Sequence, residues 1–323
     1  MSNSNQLEMM ERIALDLEGV ERALASSFNT GSEDFNTLIR PLSEAGGKRL
    51  RAQLCLLIAN AGTSVEAERI KIAEAVEMLH LATLIHDDVL DQAEMRRGEE
   101  TIHKHKGNKV AILSGDYLFA KAFRIVSEMP HMEYLKVFSH IITCLVEGEF
   151  MQMEDVYRID QGIDRYMTKT QKKTADFMEG CMELGGLLGG WSSDEIMYLK
   201  RYGHALGMAF QITDDIMDYR ETSDTTGKPV GNDLREGLLT YPLLSIVNES
   251  NQNQLLQDIK NLNHGGNEQE IIDYVIAQGG IDNTLRVAQQ YCDDALSALQ
   301  SIRDFDGKEF LVLAVQNLAD RKV

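Results

Sequence analysis

Only four prolines, Pro41, Pro130, Pro229 and Pro242, interrupt 323 residues, and apolar side chains recur at three- and four-residue spacing almost throughout. The runs LCLLIANAGTSVEAERIKIAEAVEMLHLATLIH and YLKVFSHIITCLVEGEFMQMEDV carry this spacing most clearly. It is the period of a helix that buries one face. No stretch sustains the period-two alternation of a half-buried strand, so strands should be few or absent. Polar, glycine-bearing breaks fall at 29–35, 45–49, 96–109 and 223–237, and none is long enough to link two domains. The pattern predicts an all-α chain with a single domain over residues 1–323.

The charge balance narrows the partners. A formal net charge of −19 opposes binding to nucleic acid and to anionic membranes, so any anionic ligand must be held by a local basic cluster or through metal ions. No window is apolar for long enough to span a bilayer. The N-terminal MSNSNQLEMMERIALDLEGVERAL has neither a basic segment nor an apolar one of signal type, which predicts a cytoplasmic location. Cys55, Cys144, Cys181 and Cys292 lie far apart in apolar helical surroundings, the pattern of buried free thiols rather than of a zinc site.

Against that background one motif recurs. DDVLD (Asp87, Asp88, Asp91) returns as DDIMD (Asp214, Asp215, Asp218), each preceded by an apolar run, MLHLATLIH and MAFQIT. Helix positions four apart lie only ~40° apart around the axis, so Asp87 and Asp91 share a face, as do Asp214 and Asp218. Carboxylates stacked in this way repel one another. A hard divalent cation removes the cost, and an all-oxygen donor set suits Mg²⁺, which also binds phosphates. A solvated acidic face is the alternative for either motif alone. Two copies, each led in by apolar residues, favour a metal site at the mouth of a pocket. Asp87, Asp91 and Asp214, with Asp88 and Asp218 beside them, are the candidate metal ligands.

Bases accompany the acids. Arg96 and Arg97 follow the first motif, Lys48 and Arg51 lie one turn apart in GGKRLR, Lys173 precedes Thr174 in QKKTADF, and Lys228 sits in TGKPVGND. Arginine forks and lysine point charges are the usual clamps for phosphate oxygens. Each could be an ordinary surface base. Together they form two sets, one for a metal-bound diphosphate and one for a second diphosphate without metal.

The ordered series GGKRLR, LHLATLIHDDVLDQAEMRRG, KKTADF, FQITDDIMDY and GKPVGNDLREG resembles the successive motifs of the trans-polyprenyl diphosphate synthases, over about residues 40–245. It is most similar to the catalytic subunits of bacterial hexaprenyl and heptaprenyl diphosphate synthases. The resemblance implies an isoprenoid-synthase fold of about a dozen helices around a deep central cavity. By position, it implies that Asp87, Asp91 and Asp214 ligate Mg²⁺. Arg96, Lys173, Thr174, Gln211 and Lys228 would hold the allylic diphosphate, farnesyl or geranylgeranyl, and Lys48, Arg51, His80 and Arg97 would hold isopentenyl diphosphate. It further implies a homodimer or a heterodimer with a small regulatory subunit. Two positions depart from the family pattern: Ala52 stands where proline is usual, and Gln92 where a fourth aspartate is common.

The implied reaction explains the residue types. Diphosphate becomes a competent leaving group when metal ions and arginines neutralise it. The allylic cation is then attacked by the double bond of isopentenyl diphosphate, and the released diphosphate takes the proton. The neutral oxygens of Thr174 and Gln211 can steady the cation without quenching it. His86, His103 and His105 read as local hydrogen-bonding or solvated residues, and the methionines as pliable core filler. A terpene cyclase would not need GGKRLR, and a non-catalytic partner subunit would not keep both acid triads. Small Ala82 and Thr83, one turn before Asp87, leave a passage for a growing chain. They predict a product longer than farnesyl diphosphate, of about six or seven isoprene units, unless Phe119 or Phe123 closes the passage at geranylgeranyl length.

Overall fold

The computed structural model describes residues 3–28, 32–44, 49–96, 98–220 and 231–319. The described chain is helical almost throughout, as the periodicity demands. Its one exception is a two-stranded antiparallel hairpin, β1 (Met95–Arg96) and β2 (Glu99–Glu100), paired Met95 to Glu100 and Arg96 to Glu99. It forms two compact units, each drawn from separated stretches of sequence, which leaves no linker to see in the primary structure.

The first unit comprises Met1–Ser139, Gly180–Met197 and Asp304–Gly307. Its centre is α3 (Leu50–Asn60) and α4 (Glu66–Leu90), following α1 (Asn3–Ser27) and α2 (Glu33–Glu44). Every residue from Leu54 to Asn60 and from Ile72 to Leu79 is buried, so these segments are covered on all sides rather than along one stripe. α1 supplies one cover, burying Met9, Ile13, Val20 and Leu24. The buried carboxylate of Asp16 on α1 is satisfied by a two-pronged contact from Arg69 (2.8 and 3.2 Å) and by the Asn60 amide at 2.7 Å. Two acids in the first turn of α4, Glu66 and Glu68, match the positive end of its dipole. Beyond β2, α5 (Ile102–Lys106) leads to α6 (Asn108–Ser127), which lies along α4.

The second unit comprises His140–Glu179, Tyr198–Arg303 and Lys308–Val323. It contains most of α7 (Met132–Asp155), then α8 (Gly162–Thr170), a five-residue π-helical segment (Gln171–Ala175) and the start of α9 (Asp176–Leu188). The long α10 (Ser193–Arg220) follows, with α11 (Asn232–Glu236), α12 (Tyr241–Leu244), α13 (Gln252–Asn261), α14 (Glu268–Ala277), α15 (Gly280–Gln300) and α16 (Lys308–Ala319). The core gathers Met208, Ile212, Ile216 and Tyr219 of α10 with Tyr166, Leu234, Leu243, Ile259, Ile272 and Val275. Pro130 and Pro242 agree with the helix boundaries, whereas Pro41 lies inside α2. Pro130 separates α6 from α7, Pro242 occupies the first turn of α12, and Pro41 falls in the closing turn of α2, while Pro229 lies outside the described residues.

All four cysteines are free and buried, and burial pushes the Cys55 thiol up to about 12, far from reactive. No helix of the described residues is long and apolar enough to cross a membrane.

Close helix contacts in the first unit depend on missing side chains. A Cβ at Gly185 of α9 would lie 2.6 Å from the Cys55 carbonyl oxygen of α3, where backbone cannot yield. Gly185→Ala is expected to destabilise by about 1–3 kcal/mol through overpacking, read as a lower Tm with near-native helicity at low temperature. An unchanged Tm would show that α3 and α9 can separate without cost.

Candidate active site

In the first unit the candidate residues lie at the C-terminal half of α4 and on the elements around it. Asp87 is half-buried in the last turn, and Asp91 is the exposed C-cap, its N–H donating to the Asp87 carbonyl at 2.8 Å. Asp88 points elsewhere. It is buried, and Arg96 of β1 donates to it through Nε at 2.5 Å, so the hairpin returns a base onto the helix that carries the acids. Burial raises the Asp88 carboxyl, with the Arg96 hydrogen bond opposing. DDVLD therefore has two outward acids and one inward acid.

The two arginines of GGKRLR are given different jobs. Arg49 has left-handed backbone angles (φ 44°) ahead of α3, and its guanidinium is fixed by Glu21 at 2.8 Å and Glu77 at 3.3 Å. Arg51 instead meets His80, Nη1 to Nε2 at 3.3 Å. A guanidinium only donates, so Nε2 of His80 is the unprotonated nitrogen in this contact. Burial lowers the Arg51 guanidinium below its ordinary value. The unusual Ala52 also acquires a role: its backbone N–H, which a proline would lack, donates to Glu77 at 3.1 Å and so satisfies one open donor of the first turn. That partner is 25 positions away, and no local signal in the sequence reveals it. Gln92 has left-handed backbone angles (φ 51°) just past the helix end.

Ala82 is fully buried on α4, whereas Thr83 is half-buried with its hydroxyl donating to the His80 carbonyl at 2.8 Å. His86 makes local contacts, as expected. Its Nε2 lies 3.1 Å from the Ile112 carbonyl, its ring rests against Phe119, and Gly115 leaves the room that a Cβ would fill. His103 likewise meets the Ala93 carbonyl at 2.7 Å. Phe123 is partly exposed and packs edge-on against Phe138.

In the second unit the π-helical segment carries Lys173 and Thr174, and such one-turn widenings are frequent at functional sites. Glycines bring its neighbours close. Gly148 of α7 leaves space for the stem of Lys173, whose ammonium pairs with Glu149 at 2.5 Å, and Gly207 of α10 lies against Ala175. One turn beyond Gly207, Gln211 accepts a hydrogen bond from the Thr174 hydroxyl at 2.9 Å. One turn further, the buried Asp215 accepts from the Gln211 amide at 3.0 Å and from the Tyr166 hydroxyl at 2.5 Å. Gly207, Gln211 and Asp215 thus form one stripe of α10. Asp214 is rotated away from it and exposed. Asp218 accepts the backbone N–H groups of Asn232 and Asp233 at 3.0 and 3.2 Å, holding the start of α11. Lys48, Arg97 and Lys228 lie outside the described residues.

These acids crowd one another. Burial raises Asp215 to about 6 despite its two donors, and burial followed by repulsion from Asp218 and Asp215 pushes Asp233 well above the carboxylate range. These inward acids are already engaged, whereas the outward carboxylates, Asp87 and Asp91 on α4 and Asp214 on α10, offer only oxygen donors, the type a hard divalent cation such as Mg²⁺ takes. Among the described residues, the group of three whose ligand atoms lie within 4.8 Å of one another is a different one, Asp176, Glu179 and His204. Glu179 there already pairs with Lys200 at 3.4 Å and with His204 at 3.6 Å.

The Polyprenyl synthetase family profile matches residues 32–278. Octaprenyl diphosphate synthase of Escherichia coli is 33% identical over 312 residues, 95% of this chain and 96% of that one. Heptaprenyl diphosphate synthase component 2 of Geobacillus stearothermophilus is 33% identical over 288 residues, covering 89% and 90%. The crystal structure of heptaprenyl diphosphate synthase from Staphylococcus aureus superposes with a TM-score of 0.88 at 28% identity, over 96% of this chain and 99% of that one. The chain belongs to the polyprenyl synthetase family and is a prenyltransferase.

Proposed function

We propose that the protein is a Mg²⁺-dependent synthase that joins isopentenyl diphosphate head to tail to farnesyl or geranylgeranyl diphosphate, giving a trans product of about six or seven isoprene units for quinone side chains. What supports the reading is that both acidic motifs are intact in a member of this family, each turning its outer acids away from a buried partner acid that is already hydrogen-bonded. The all-oxygen donors Asp87, Asp91 and Asp214 would hold the ions. Bound Mg²⁺ supplies Lewis-acid neutralisation of the diphosphate oxygens.

The chain's own residues do the rest. Arg96 and Lys173, joined by Lys228, grip the allylic diphosphate. Asp88 and Glu149 hold the first two in place by ion pairs of 2.5 Å each. Lys48, Arg51, His80 and Arg97 grip isopentenyl diphosphate, with the His80 contact aiming the Arg51 fork. Asp218 steadies α11 beside Asp214. The departing diphosphate removes the proton after carbon–carbon bond formation. Buried, unreactive thiols suit a reducing cytoplasm.

Purified protein given Mg²⁺, isopentenyl diphosphate and farnesyl diphosphate is expected to yield a prenyl diphosphate longer than its primer. Absence of any elongated product overturns the proposal, and a product that stops at geranylgeranyl length overturns its chain-length part.

Among single changes, Asp87→Ala is expected to cut turnover by about a hundredfold or more, on the scale of losing one preorganised electrostatic group. Asp88→Ala should cost less, because that carboxylate serves Arg96. Equal losses would show that the inward acid also reaches the metal.

The passage for the product is tested one turn upstream. Burying each added CH₂ is worth about 0.8 kcal/mol, so an open apolar passage favours long chains and a plugged one opposes them. Half-buried Thr83 accepts a larger side chain more easily than sealed Ala82. Thr83→Phe is therefore the cleaner change, with Ala82→Phe as its companion. Both should shorten the products while sparing the first condensation, as read by chromatography of the dephosphorylated mixture. An unchanged distribution in both variants places the passage elsewhere.

The surface of α7 supports self-association. Val146, Phe150 and Met153 are 48%, 62% and 56% exposed, and their spacing puts them on one helical stripe. A helix-on-helix homodimer buries this stripe. The name of the Geobacillus relative, component 2, supports a second kind of subunit as the alternative occupant. Sedimentation at micromolar concentration should show a dimer, and a stable monomer there would overturn self-association.

A further inference from the structure

The stripe on α10 fixes more than the position of Gln211. Asp215 is 5% exposed, and both of its oxygens receive hydrogen bonds, from the Tyr166 hydroxyl of α8 and from the Gln211 amide. A carboxylate accepts and does not donate. The amide nitrogen of Gln211 must therefore face Asp215, and its oxygen must face Thr174. That oxygen also only accepts, so the Thr174 hydroxyl proton is committed to it. What Thr174 has left to present is its lone pairs. Each donor in the chain is polarised by the acceptor behind it, which makes the terminal oxygen a better electron-pair donor.

The geometry points to Asp215 as a positioning residue: not a metal ligand, but the fixed acceptor that sets the direction of the relay Thr174–Gln211–Asp215, so that Thr174 meets the allylic cation as an oriented lone-pair donor. This rests on reading the site as a prenyl-transfer centre. It also divides the roles of two residues that the sequence treats as equivalent. The Gln211 oxygen is occupied by Thr174, so Gln211 acts through Thr174 rather than on the cation. Tyr166 completes the anchor, stacking edge-on with Tyr241 at 5.7 Å between ring centres, and Lys169 places its ammonium 5.8 Å from the Tyr166 ring.

The relay predicts a particular kinetic pattern. Thr174→Val, which removes the hydroxyl at nearly constant volume, should lower kcat by about a hundredfold, the scale on which one positioned polar group acts, with both KM values little changed. Thr174→Ser should restore most of the loss. Asp215→Asn offers a donor as well as an acceptor and no longer enforces one amide direction. It should lower kcat while leaving the Mg²⁺ concentration for half-maximal rate in place, and its effect should largely vanish when Thr174 is already Val. A raised Mg²⁺ requirement, or losses that multiply in the double variant, would make Asp215 a metal ligand and overturn the relay. Full activity of Thr174→Val would overturn it as well. The donor direction is checked without turnover by following the ¹⁵N-labelled side-chain amide of Gln211. It should be protected from solvent exchange in the wild type and lose that protection in Asp215→Ala, and an amide that exchanges freely in the wild type refutes the relay. A wild type with a protected amide that makes no prenyl product instead removes the prenyl-transfer reading and leaves the relay standing.

Discussion

A carboxylate held in a helical core must be given donors, and the acidic motifs owe their division of labour to that requirement. Each motif places acids on adjacent faces of one helix. The acid that turns inward is tied at once, Asp88 by Arg96 and Asp215 by Tyr166 and Gln211. The acids that turn outward, Asp91 and Asp214, are exposed, and Asp87 is half-buried. The same five-residue motif therefore supplies both the candidate ligands and the anchor that fixes their helix. Asp218 extends the rule, since its oxygens hold two backbone N–H groups at the start of α11.

Close approach is the second constraint. Thr174 and Gln211 meet only where backbones come nearer than ordinary side chains permit. Gly207 lets α10 touch the π-helical segment, and this brings Gln211 within 2.9 Å of Thr174 one turn later. Gly115 opens the space that His86 fills immediately before Asp87, and Gly185 seats α9 on α3. For Gln211 and His86 the polar contact lies beside a glycine contact, because close packing sets which polar groups can meet.

Much was legible in the sequence. Helical periodicity and scarce prolines specify an all-α chain because the apolar period is a local property, fixed by 3.6 residues per turn. The repeated aspartate pairs and their bases mark the chemistry for the same reason, since residues four apart share a face wherever the helix goes. The ordered series of motifs identifies the family. What tertiary structure alone decided is the assignment of roles among neighbours. Arg49 and Arg51 look alike in GGKRLR, yet one is locked by Glu21 and Glu77 and the other meets His80. Nothing local makes Ala52 the donor to Glu77, and Asp215, which meets only Gln211 within its own helix, becomes a fixed anchor through Tyr166. Those distinctions come from partners 25 to 49 positions distant, such as Glu77 for Ala52 and Tyr166 for Asp215. A helix sequence defines its faces, but only the packed fold determines what each face meets.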